Sequence, residues 1–241
     1  MALNPLDFMN GIFSIIFVIF SFAIGFIILT RYFKYKEKIY FFVGATWIFI
    51  SEPWWPSTIS FLVALYNNVG ISPGIYFLLG NVFIPLAIIL WLLAFTEFLY
   101  SEKRKLILSI YTIIGALFEV LFFIFLFLNQ NLIGELNGPV DVNYKSFIMV
   151  FLIIFLLIVV ISGLSFANLS LKSKDPEVKL KGKLLIVAYL GFSVGALLDA
   201  SVPFNPATII IIRLLLILSA FCWYGGFLLP KWMKKFLLKS K

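Results

Sequence analysis

Seven apolar runs divide this chain, and a membrane bundle is the one architecture that readily absorbs them. A crossing helix needs about 20 apolar residues to span a hydrocarbon core of about 30 Å. The runs lie at about 10–30, 38–55, 73–99, 106–128, 146–168, 183–201 and 207–229, separated by short polar or Gly/Pro/Asn-bearing connections. They predict an all-α, polytopic membrane protein: one seven-transmembrane helix bundle over 1–229, then a basic tail over 230–241. The composition agrees, with 63% hydrophobic and 12% charged residues and a mean hydropathy of +1.09; soluble domains carry about a quarter charged residues.

Charge orients the bundle. Of the 19 Lys and Arg, all but Lys145 and Arg213 fall in the first, third and fifth connections or in the tail. The positive-inside rule makes those segments cytoplasmic and the N-terminus external, in a multi-pass protein of the cell membrane. The net charge of +8 is therefore a topology signal, and membrane lipid rather than nucleic acid is the partner it suggests. MALNPLDFMN has no basic stretch before the first run, so that run reads as a retained anchor and not a cleaved signal. The tail spaces Trp232 and Phe236 four apart among lysines, the pattern of a short interfacial helix.

What is missing excludes several chemistries. The chain has no histidine and one cysteine, Cys222. Histidine-ligated haem or zinc, Ser-His triads, cysteine metal clusters and internal disulfides are all ruled out. No cofactor or metal is expected.

Polar residues inside the runs are the candidates for function, because a charge in the bilayer centre costs about 2.5–3.5 kcal/mol on insertion scales and must face protein, water or a partner. At about 1.5 Å per residue, Glu52, Asn81, Glu119 and Arg213 fall about 9–13 Å below the outer edge, with Asp199 shallower. Together with Trp54 and Trp55 of FISEPWWPSTI they form a candidate ligand or ion pocket open to the outside. Arg213 is expected to pair with Glu119 or Glu52, and Asp199 is the third choice. The two tryptophans suit either an interfacial belt or the pocket mouth. Pro85 is expected to kink the third span and free the Asn81 carbonyl. Segment 57–66, too short to cross, reads as an interfacial or re-entrant half-helix, and Asn129–Lys145 as an outer loop of turns.

Pro53-x-x-Pro56-Ser-Thr-Ile and Pro203-x-x-Pro206-Ala-Thr-Ile echo each other, as a parallel duplication of helix triplets would leave them. The layout resembles that of rhodopsins and G-protein-coupled receptors. A retinal protein of that kind places a lysine in its last helix, and none lies between 207 and 229. Like-oriented triplets around a linker helix also resemble the SWEET sugar transporters, whose proline-glutamine motif is absent here. Neither resemblance assigns a family.

Three expectations of function follow. The first is a receptor-like sensor that binds a small ligand from outside and signals through a cytoplasmic partner on the basic loops. The second is a small-solute transporter of the triple-helix-repeat type, proton- or cation-coupled through the carboxylates. The third is a structural or assembly subunit. An enzyme acting on lipid fits less well, for want of a nucleophile setting or a paired-aspartate metal motif. The Phe, Ile, Lys and Asn bias suggests a prokaryotic, AT-rich genome.

Overall fold

A computed structural model of the chain describes residues 3–238, so Lys239 and Lys241 of the tail lie outside the described residues. Ten α-helices carry it: α1 (Pro5–Tyr35), α2 (Lys38–Ile50), α3 (Trp55–Asn67), α4 (Pro73–Asn81), α5 (Ile84–Phe98), α6 (Arg104–Leu128), α7 (Ser146–Leu171), α8 (Pro176–Ser201), α9 (Pro206–Leu228) and α10 (Lys231–Leu238). Six helical stretches, Pro5–Tyr35, Pro73–Phe98, Ser101–Leu128, Ser146–Leu171, Pro176–Ser201 and Pro206–Leu228, are long and apolar enough to cross a membrane. The protein is thus an all-α, multi-pass membrane bundle.

Helix starts follow local chemistry. Asn4 and Asp7 form a reciprocal capping box around Pro5, and Asn205 and Thr208 another around Pro206. Asp175 caps α8 before Pro176.

The second apolar run differs from its expected form. Glu52–Trp54 is a single 3-10 turn, after which α3 continues for 13 residues. α2 and α3 run antiparallel to α1 along their joint length: Gly44 abuts Gly25, Trp54 stacks edge-on against Phe17 at 4.9 Å, and Phe61 lies on Gly11. Segment 57–66 is therefore the far half of a broken rod over 38–67 that packs along α1. The prolines do not end it, because Pro56 falls in the first turn of α3, where no N–H is needed. Glu52 accordingly sits midway along the rod.

A second break faces the first. α4 and α5 are interrupted at Val82 and Phe83, just before Pro85. Phe83 N–H, which would donate to Leu79 in an unbroken helix, donates to both Glu52 oxygens at 2.8 and 2.9 Å. The helix is interrupted in the turn before the proline's own position in the ladder, and Glu52 accepts from the N–H that the interruption frees.

α1, α2, α5, α7, α8 and α9 surround the core, while α6 packs on α5 and sends Phe118 and Phe122 into the core, Phe118 against Phe147, Phe151 and Phe155 of α7. Small residues permit the closest approaches: a Cβ on Gly44 would stand 2.6 Å from the Gly25 carbonyl, Gly163 lies under the Tyr189 ring, and Gly226 against Leu185. Gly225 receives Met233 of α10, which leaves Trp232 and Phe236 exposed. Towards the basic ends of the helices the core is an aromatic plug. The Trp223 ring lies 4.7 Å from that of Trp47 and 5.6 Å from that of Trp91, both tilted, and Tyr189 lies 5.5 Å from Trp91.

The Asn129–Lys145 connection is more ordered than turns. β1 (Gly134–Leu136) and β2 (Val142–Tyr144) form an antiparallel hairpin with Glu135 opposite Asn143. It folds back over the bundle: Ile133 and Val140 are buried, and Asn10 Nδ2 donates to the Val140 carbonyl at 3.0 Å. The two P-x-x-P segments occupy unlike places. Pro53–Pro56 lies inside a broken rod, whereas Pro203–Pro206 reverses the chain between α8 and α9.

Candidate functional site

Arg213 of α9 is 2% exposed and pairs with Asp199 of α8 through Nη1 and Oδ1 at 2.8 Å. Asp199, and neither Glu119 nor Glu52, is its counter-ion. Nη2 donates to Asn10 Oδ1 at 2.6 Å, and the second Asp199 oxygen accepts from Trp54 Nε1 at 2.9 Å. The guanidinium carbon lies 5.9 Å from the Trp54 ring centroid and 6.0 Å from that of Phe204. Nε keeps no partner. Side chains from near positions 10, 54 and 199–213 thus meet at one cation.

This network stands between two spaces. On one side is a cavity of about 140 Å³ walled mainly by apolar side chains of α5, α7 and α8, with Trp54, Tyr76, Tyr144, Phe155 and Phe192 around it. On the other is a vestibule of about 390 Å³ under the hairpin, lined by Asn4, Asp7, Asn137, Asp141 and Asn143. Asn10, Asp199, Asp141 and Phe204 line both. Burial pushes the Asp141 carboxyl above the usual aspartate range, against the Val142 N–H and the Asn137 amide, which pull it down.

The sequence-derived candidates separate into two groups. Trp54, Asp199 and Arg213 stand on the cavity wall. Glu52, Asn81, Glu119 and Trp55 do not. Glu52 is fully buried on Phe83 N–H. Asn81 Nδ2 donates to the Phe77 carbonyl at 2.9 Å and to the Tyr144 hydroxyl at 3.2 Å, so it touches the cavity through that tyrosine. Glu119 on α6 is half-buried, with Oε2 unpartnered. Trp55 donates to Ser51 Oγ at 3.1 Å and packs among Phe22, Phe49 and Phe83.

Sequence reasoning missed Asn10, Tyr76, Asp141 and Tyr144. Asn10 had a signal: with Asp7, Ser14 and Ser21 it forms a polar stripe at helical spacing, and all four are buried. Asp141 and Tyr144 had none, because they reach the cavity only through closure of the hairpin.

No protein-family model, curated protein or solved structure matches this chain.

Proposed function

We propose that this is a receptor-like sensor of the cell membrane that binds a small ligand from the outer side. Counting the broken rod over 38–67 as a crossing gives seven spans, with the basic loops and α10 on the cytoplasmic face and the hairpin outside. The observation that carries the reading is the cavity at the Arg213–Asp199–Trp54 network, reached through a polar vestibule. It has the make-up of a ligand site, mostly apolar with a few convergent polar groups. The Trp47–Trp91–Trp223 plug favours binding over passage, since it fills the bundle between the cavity and the basic end. Changes at the site would reach a partner on the basic loops through α8 and α9, which hold Asp199 and Arg213.

One observation favours a transporter as the second reading. Two neighbouring rods are broken at facing points, with Glu52 bridging the breaks. Discontinuous helices with a buried carboxylate are a recurring setting for coupled ion sites. The deciding experiment is a ligand screen by thermal unfolding of the protein in lipid, followed by flux assays in proteoliposomes. Saturable stabilisation without flux supports the sensor, and saturable flux lost in Glu52→Gln supports the transporter. A pocket that binds nothing, with Asp199→Asn causing no change beyond stability, would leave only a structural role.

A further inference from the structure

We infer that the cavity takes a single-chain zwitterionic amphiphile, in chemical class a lysophospholipid. Its chain would lie among α5, α7 and α8, its phosphate against Arg213, and its ammonium in the vestibule by Asp7 and Asp141. This rests on the ligand-binding reading above and names the ligand class.

Three observations lead there. The first is a side opening between α7 and α8. Gly163 beneath Tyr189 and Gly182 against Ala167 set an antiparallel register that, carried toward the hairpin, brings Ile153 opposite Leu197. Both residues line the cavity, yet they are 41% and 43% exposed. The helices close on each other at Gly163 and Gly182, and nearer the hairpin the cavity wall is made of two side chains that also reach the outer surface, so a chain seated among Ile84, Ile88, Leu152 and Leu156 would continue outward into lipid between them. A water-soluble ligand needs no such door.

The second is Arg213. Its Nε–H is unpartnered although the side chain is almost wholly buried on the cavity wall. A buried donor without an acceptor calls for one from water or ligand, and a phosphate oxygen suits a guanidinium.

The third is the order of charges. Asp199 already neutralises Arg213, which leaves Asp7 and Asp141 as the carboxylates of the vestibule. Arg213 lines the cavity alone, Asp141 lines both spaces and Asp7 the vestibule alone, so the charges run from the cation to a shared carboxylate and on to Asp7. A zwitterionic head carries the complementary order, with phosphate next to the chain and ammonium beyond it.

The test uses the full chain in lipid nanodiscs with a lysophosphocholine bearing a mid-chain diazirine, and adducts are mapped by mass spectrometry. Matched probes carry a phosphate-only, a trimethylammonium-only or an uncharged glycerol head. The zwitterionic probe is expected to label Ile88 and Leu156 saturably and best of the four. Asp141→Asn is expected to lower its occupancy roughly tenfold and leave the phosphate-only probe unchanged, as loss of one charged contact would. Leu197→Trp, or Ile153→Trp if the first folds poorly, should reduce labelling by every chain. Equal labelling by the uncharged head, adducts confined to lipid-facing Ile113 and Ile161, or indifference to these substitutions would overturn the proposal. A chainless compound that stabilises the protein while no chain enters the cavity overturns the amphiphile alone. If chain probes and chainless compounds all fail, the pocket reading falls with it.

Discussion

Arg213 and Glu52 are both buried, ionisable residues in the same bundle, and their surroundings are opposite. Arg213 meets a carboxylate, an amide and two aromatic faces from distant segments and borders open space. Glu52 meets one backbone N–H, borders no cavity described above, and sits at the joint of two interrupted helices. The first holds side chains in an arrangement that a ligand could read. The second repairs a backbone that prolines have broken. A polar residue in an apolar helix thus has two distinct reasons to be there, and only its partners tell them apart.

Breaking the first centre should have the largest effect. Arg213→Met leaves Asp199 with no counter-charge in a largely buried site and is expected to destabilise the protein by about 3–5 kcal/mol. Chemical unfolding in lipid–detergent micelles measures this. The double variant Arg213→Met with Asp199→Leu should recover most of the loss, which would show that the isolated charge, and not the lost pair, was the damage.

Next comes Trp54→Phe, which keeps the ring against Phe17 but removes the donor to Asp199. A lost hydrogen bond to a charged group predicts about 1.5–3 kcal/mol by the same measurement.

The second centre should respond to shape and not to charge. Glu52→Ala strands the Phe83 N–H in the core and is expected to cost about 1–3 kcal/mol, whereas Glu52→Gln keeps an acceptor and should lie below about 1 kcal/mol. Equal damage from both would mean that the charge of Glu52 matters and would blur the contrast with Arg213. The smallest effect belongs to the Lys145–Glu135 pair on the hairpin, 2.8 Å apart and exposed on both sides. Lys145→Ala should change stability by under about 1 kcal/mol, and less in high salt.

These two centres were unequally legible in the sequence. Arg213 and Asp199 stood out because charges in apolar runs must have partners, but spacing along a helix says nothing about which of three carboxylates lies on the adjacent helix. Pro85 announced the break in the third run, since a missing N–H is a local fact. The break at Glu52–Trp54 was misread as a terminus because proline in a first turn looks alike whether the chain reverses or continues. Tyr144 and Asp141 were silent for a different reason: their place depends on Val140 reaching Asn10 across 130 residues of chain.

That last contact gives the hairpin a mechanical meaning. One amide, Asn10, holds the Val140 carbonyl with its nitrogen and the Arg213 guanidinium with its oxygen. The hairpin tip at Asn137–Gly138–Pro139 is therefore a handle on the buried cation. A nanobody that grips the tip and lifts it would tug on Arg213 without entering the bundle, and a disulfide clamping the tip to α1 would lock the same lever in place.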